Sequence, residues 1–171
     1  MPSAPLHVVV MGVAGCGKSV VGTELSQRLS LPLIEGDDFH PPGNIAKMRQ
    51  GEPLGDEDRA GWLAALAAEL RSHPDGAVLT CSALRRSYRD TLRAAAPALH
   101  FVHLSLTPHQ ALERVAARTD HFYPPSLVAS QFEALEDPTA EPRVRAVDAT
   151  LHVDRVVEEA AGWLRSLKSA A

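Results

Sequence analysis

The chain has 171 residues, of which 45% are hydrophobic and 22% charged; this is the size and composition of one globular domain, and it excludes two independent domains, a disordered chain and a fibrous one. A formal charge of −4 argues against the basic surface that nucleic-acid binding needs. The apolar stretch over residues 8–17 is too short to span a membrane, and no Lys or Arg precedes Lys18 to begin a secretory signal.

Leu6 to Met11 is a β-branched run that ends at Gly12, and a helical pattern follows through Val20, Val21, Leu25 and Leu29. Leu31 to Glu35 predicts a second strand, closed by the acidic turn Gly36-Asp37-Asp38. Ala77 to Cys81 predicts a third and Ala98 to Leu106 a fourth. Thr107 and Gln110 form a capping box, with Pro108 at the first helical position, so a helix starts there and is expected to turn Leu112, Val115 and Ala116 inward. A fifth strand is placed over Ala146 to Val153, before a closing helix that carries Val156, Val157, Ala160, Leu164 and Leu167 on one face. Strands that are apolar nearly throughout and alternate with helices predict an open parallel sheet covered on both sides, an α/β sandwich. Two segments interrupt the alternation: Asp37 to Arg71, with a helix over Trp62 to Leu70, and Thr119 to Glu136, with a helix entered through Pro124-Pro125. Both fall where this architecture carries binding loops.

Gly12-Val13-Ala14-Gly15-Cys16-Gly17-Lys18-Ser19 fits GxxxxGK[ST] between a strand and a helix. In that setting backbone N–H groups cradle phosphate, Lys18 reaches the outer phosphates and the Ser19 hydroxyl ligates Mg²⁺. The third strand lacks the terminal acid that usually supports the metal, and no Asn-Lys-x-Asp reads a guanine base. Glu35 and Asp37, two apart at the end of the second strand and on one side if the chain is extended, are the replacement carboxylates, one for the metal and one for a substrate hydroxyl. Cys16 reads as a passive loop position, and Cys16 and Cys81 as reduced thiols. Eight histidines without HExxH, and no CxxC, leave no zinc site to expect.

Beyond this loop, GDDFHPPGNIAKMRQGEPLGDEDRAGWL (Gly36 to Leu63), CSALRRSYRDTLR (Cys81 to Arg93) and HFYPPSLVASQFEALEDP (His121 to Pro138) resemble the gluconokinase family of small P-loop kinases over nearly the whole chain. The resemblance implies a three-layer αβα kinase fold, similar to shikimate kinase, in one domain over residues 1–171. It has a five-stranded parallel sheet, a substrate-binding insertion over about 37–71 and a lid over about 115–126. It also implies ATP and Mg²⁺ as cosubstrates, D-gluconate as acceptor and 6-phospho-D-gluconate as product, feeding the pentose phosphate pathway and gluconate catabolism. A cytoplasmic homodimer without nucleic-acid or membrane partners is implied as well.

The family's Asp-x-Asp falls on Glu35 and Asp37, so this chain departs from it at Glu35. Carried over residue by residue, Asp37 orients the acceptor hydroxyl and Glu35 is a weaker magnesium ligand. Arg59 clamps the substrate carboxylate with help from Arg85, and His40, Asn44 and Lys47 contact the polyol. Arg118 meets the transferring phosphoryl and Arg114 lies nearer the nucleotide; four apart on one helix, they share a face. Further departures are Gly61, where Pro is common, and Thr119-Asp120 in place of a Gly-containing pair. Two rivals remain at this level: another small-molecule P-loop kinase, such as a shikimate or other sugar-acid kinase, and a nucleotide-binding module that regulates a partner without phosphoryl transfer.

Overall fold

The computed structural model describes residues 4–117 and 124–169. Five parallel strands, β1 (Leu6–Met11), β2 (Leu33–Glu35), β3 (Gly76–Thr80), β4 (His100–Ser105) and β5 (Val144–Asp148), lie in the order β2-β3-β1-β4-β5. The alternation of side chains across a strand sorts the core into two layers. Val8 and Val10 of β1, Val78 of β3 and Val102 and Leu104 of β4 face α1 (Lys18–Leu29) and, packed beside it, α7 (Val153–Ser169). Val9, Met11, Ala77, Leu79 and Phe101 face the other way, toward α3 (Asp56–Ser72) and α4 (Arg86–Ala95). The three-layer αβα architecture follows, and its central strands read as continuous apolar runs because both faces are covered.

The remaining helices surround the carboxyl ends of the strands. A 3-10 turn at Gly36–Phe39 leads into α2 (Pro42–Arg49); α5 (Pro108–Ala117) follows β4; a second 3-10 turn at Pro125–Leu127 leads into α6 (Val128–Ala134). The Thr107 capping box forms as expected, with the Gln110 amide N–H donating to Thr107 Oγ1 at 3.2 Å and the Thr107 N–H donating to Gln110 Oε1 at 2.8 Å.

Several expectations are corrected. On α5 the inward face is Ala111 and Val115, whereas Leu112 is 44% exposed and Ala116 is also outside; the cap fixes where the helix starts, and the helix phase then turns Leu112 outward. Leu167 is exposed near the end of α7, past the last strand it could cover. The fifth strand begins two residues earlier and ends five earlier than predicted, because Thr150 turns back on Asp148 and closes the strand. The insertion helix starts at Asp56, where Asp58 Oδ2 accepts the Gly55 N–H at 2.9 Å. The sequence reading did not anticipate α2.

Candidate active site

The phosphate loop wraps from the end of β1 into α1 through glycines with left-handed backbone, φ 85° at Gly15 and 94° at Gly17, conformations that side-chain-bearing residues rarely adopt. Lys18 Nζ lies across the loop, donating to Gly12 O at 3.0 Å and Val13 O at 3.1 Å. Ser19 Oγ donates to Glu35 Oε1 at 2.8 Å, and Thr80 Oγ1 donates to the same oxygen at 2.6 Å. Thr80 therefore stands at the end of β3, where an acid would be usual, and holds the carboxylate that arrives from β2.

The backbone turns sharply after Glu35. A Cβ at Gly36 would fall 2.0 Å from the Thr80 carbonyl oxygen, so only glycine lets the chain pass this close to β3. Trp62 Nε1 donates to Gly36 O at 2.8 Å and the Gly36 N–H donates to Thr80 Oγ1 at 3.1 Å. Glu35 and Asp37 thus diverge: the chain is not extended between them, as the strand argument assumed. Glu35 turns to Ser19, and Asp37 enters a cleft whose walls include Lys18, Ser19, His40, Arg59 and Trp62.

Across the cleft, the His40 ring stacks on Trp62 with centroids 4.2 Å apart and planes 14° apart. Asn44 Nδ2 lies 3.2 Å from His40 Nδ1 and donates to Asp58 O at 2.8 Å. An amide nitrogen only donates, so Nδ1 is the acceptor and the imidazole proton sits on Nε2, 3.9 Å from Asp37 Oδ1. Burial lowers the His40 pKa, with Asp37 opposing and Arg59 reinforcing the shift, so this neutral tautomer is favoured.

Arg59 is 8% exposed. Its Nη1 donates to Leu54 O at 2.6 Å and to Tyr88 Oη at 3.4 Å, its guanidinium carbon lies 5.4 Å from the Tyr88 ring centroid, and the Tyr88 hydroxyl donates to Asp56. Arg59 is therefore a buried guanidinium and not an exposed helix charge. Arg85 lies in a neighbouring groove with Arg59 and Tyr88, 4.0 Å from Asp56, and does not line the main cleft. Lys47 is drawn away as well: its ammonium pairs with Asp58 at 2.8 Å, a contact that raises the Lys47 pKa and lowers that of Asp58. Asn44 spends its amide on His40 and Asp58, behind the cleft wall.

Arg114 reaches back to the phosphate loop, donating to Gly15 O at 3.3 Å and, through Nη2, to Ala149 O at 2.7 Å. It borders a groove on the far side of the loop shared with Gly17, Val20, Leu151 and Val156. Arg118 lies outside the described residues, as do Thr119 and Asp120. Cys16 and Cys81 are free and buried, and burial pushes the Cys81 thiol up to about 12. The sequence reading missed Thr80, Tyr88 and Gln131. Gln131, which lines the cleft and accepts the Ala14 N–H through Oε1 at 2.7 Å, had a visible signal, since it interrupts an apolar face formed by Val128, Phe132 and Leu135.

A family described as an AAA domain matches residues 8–142. The chain is 46% identical over 158 residues to a gluconokinase of Gluconobacter oxydans, covering 91% of this chain and 89% of that protein. It is 40% identical to the thermosensitive gluconokinase of Escherichia coli, covering 88% and 83%. Among solved structures, a gluconokinase from Sinorhizobium meliloti superposes with a TM-score of 0.90 at 47% identity, covering 98% of this chain and 96% of that one. A deoxyadenosine kinase from M. mycoides, 15% identical with a TM-score of 0.67 and covering 95% of this chain and 100% of that one, shares the fold.

Proposed function

The chain belongs to the gluconokinase family, and from that premise we propose that it transfers the terminal phosphoryl group of ATP to a hydroxyl of D-gluconate, giving 6-phospho-D-gluconate and ADP. The observation that carries the reading is one cleft that joins a phosphate loop to a carboxylate, an imidazole and a buried guanidinium: Lys18 and Ser19 on one side, Asp37, His40 and Arg59 on the other. A sugar acid has a carboxylate and several hydroxyls, and this wall presents a cation with mixed donors and acceptors. The insertion over residues 37–71 supplies this wall and we assign it to the acceptor; we assign residues 115–126 to the lid.

In this reading the loop amides and Lys18 hold the nucleotide phosphates, and the groove bordered by Arg114, Val20 and Leu151 takes the base. Asp37 accepts the proton of the acceptor hydroxyl as its oxygen bonds to the γ-phosphorus; the bond from that phosphorus to the β–γ bridging oxygen breaks and ADP departs. A loose transition state asks more for alignment than for a strong base, and a carboxylate beside the Nε2–H of His40 meets that need. Arg59 pairs with the gluconate carboxylate, Arg85 adds charge from the adjoining groove, and Arg118 is assigned to the transferring phosphoryl.

The oxygen donors Ser19 and Glu35 fit Mg²⁺, which prefers hard oxygens and completes its shell with phosphate and water. When bound, Mg²⁺ neutralises charge on the phosphates. A homodimer and a cytoplasmic setting belong to the reading on the strength of the family resemblance. The test is ADP release across a panel of acceptors: gluconate should drive it, with shikimate, other sugar acids and nucleoside monophosphates far slower. ATP binding without gluconate-dependent ADP release would overturn the reading.

A further inference from the structure

The helices on either side of residues 118–123 both fasten onto the phosphate loop, and they take chemically opposite groups. From α5, Arg114 Nη1 donates to the carbonyls of Gly15 and Cys16 at 3.3 and 3.5 Å. From α6, Gln131 Oε1 accepts the N–H of Ala14 at 2.7 Å, across 117 positions of sequence. Ala14 sits between Val13, whose carbonyl takes the Lys18 ammonium, and Gly15, where the loop turns through positive φ. A shift at Ala14 therefore moves both the seat of Lys18 and the turn that aims the following amides.

Gln131 is placed firmly enough to control that peptide. It is 9% exposed, and Val128 and Phe132 beside it on α6 belong to an apolar cluster with Val13, Leu84 and Ala111. Its amide orientation follows from its partner: an N–H can be accepted only by the carbonyl oxygen, so Oε1 faces Ala14 and Nε2 is turned away. A buried polar side chain costs stability unless it is satisfied, and here the phosphate loop satisfies its carbonyl oxygen.

We propose that Gln131 is a positioning residue for phosphoryl transfer, acting through the Ala14 amide to hold the tip of the phosphate loop against the acceptor side of the cleft. Its effect on rate rests on the kinase reading above, while the latch itself does not. The test pairs amide hydrogen exchange at Ala14 in the ligand-free protein with steady-state kinetics at saturating MgATP. Gln131→Met keeps the length and loses the acceptor, whereas Gln131→Glu keeps an acceptor oxygen. With Gln131→Met, exchange at Ala14 should quicken about tenfold and kcat should fall about tenfold, the scale of one lost hydrogen bond, while the gluconate KM stays within about twofold. Gln131→Glu should restore the protection and most of kcat, its added charge appearing in the KM for ATP. Unchanged Ala14 exchange or wild-type kcat in Gln131→Met, equal impairment of both variants, or a loss confined to the gluconate KM would each overturn the proposal. Were gluconate not the acceptor, the exchange measurement would still decide the latch.

Discussion

Asp37 is half exposed at the cleft, and among the described residues its ion-pair contact is a long one, to the Nε2 of the neutral His40 imidazole at 3.9 Å. A carboxylate held so lightly is free to meet a hydroxyl, unlike Asp58, which is committed to Lys47 and the Gly55 amide. Asp37→Ala should therefore lower kcat roughly 10²–10⁴-fold, the range for a positioned acid–base group, while ATP affinity measured by calorimetry stays near wild type. Arg59 is the opposite case, a guanidinium held by Leu54 O and by the hydroxyl and ring of Tyr88. The Asp56–Tyr88–Arg59 chain sets its orientation, and Tyr88→Phe removes the hydroxyl that links them without removing the ring beneath the guanidinium. Tyr88→Phe should raise the gluconate KM by a few-fold and leave kcat within about twofold; Arg59→Lys, which keeps the charge but loses the fork, should raise that KM more, about tenfold. Initial-rate measurements with gluconate varied at fixed MgATP separate the two.

At the scale of elements, a buried ion cluster ties the start of α4 to the chain that follows α6. Arg89, fully buried, donates through Nε and Nη2 to Glu141 at 2.9 and 2.6 Å, through Nη1 to Ala83 O at 2.7 Å and through Nη2 to Glu136 O at 3.0 Å; Arg93 adds a second cation to Glu141 at 2.8 Å. Ala83 has left-handed backbone, φ 46°, unusual for a residue with a side chain, and this network holds it next to Ser82 at the cleft. Burial alone would raise the Glu141 pKa; the bonds from Arg89 and Arg93 outweigh it and hold the carboxyl below its usual 4.5. A depressed carboxyl pKa contributes stability above pH 4.5 that is lost as pH falls through the lower folded value. Glu141→Gln should cost roughly 3–5 kcal/mol at pH 7, as breaking a buried pair does, and denaturant titrations should show the gap to wild type closing below pH 4.5. Such a cluster is invisible in sequence, since its members lie 52 residues apart and look like ordinary helix charges. What could be read were features with local causes: the phosphate loop from its spacing, the β1, β3 and β4 strands from largely apolar runs, the α5 start from Thr107 and Gln110. The end of β5 was misplaced because Leu151 and Val153 extend the apolar run past a turn made by Asp148 and Thr150. Lys47 and Asn44 look in sequence like acceptor contacts, and only the fold shows them committed to Asp58 and His40.

For the molecule as a whole, the sheet order β2-β3-β1-β4-β5 puts the phosphate loop at the end of the central strand and the wall proposed to take the acceptor beyond β2 and β3. The two halves of the cleft therefore rest chiefly on different supports: the loop on β1 and α1, with Arg114 and Gln131 fastened to it, and the facing wall on Trp62 and its bond to Gly36. Ligands that meet only one half should stabilise the protein independently, because each half exists before the other is filled. A ligand at about 100 times its Kd adds roughly 2.7 kcal/mol, which for a chain of this length is a rise in Tm of about 5–10 °C. MgADP and gluconate should each raise Tm alone in differential scanning calorimetry. Lys18→Ala should abolish most of the MgADP increment while leaving that of gluconate, and Arg59→Lys should cut the gluconate increment by about half while leaving that of MgADP. Chelating the metal with EDTA should diminish the ADP increment only, because Ser19 and Glu35 lie on the phosphate side. If gluconate gave no increment unless nucleotide were present, the acceptor wall would not be preformed, and the separate support read from Trp62 and Gly36 would be wrong.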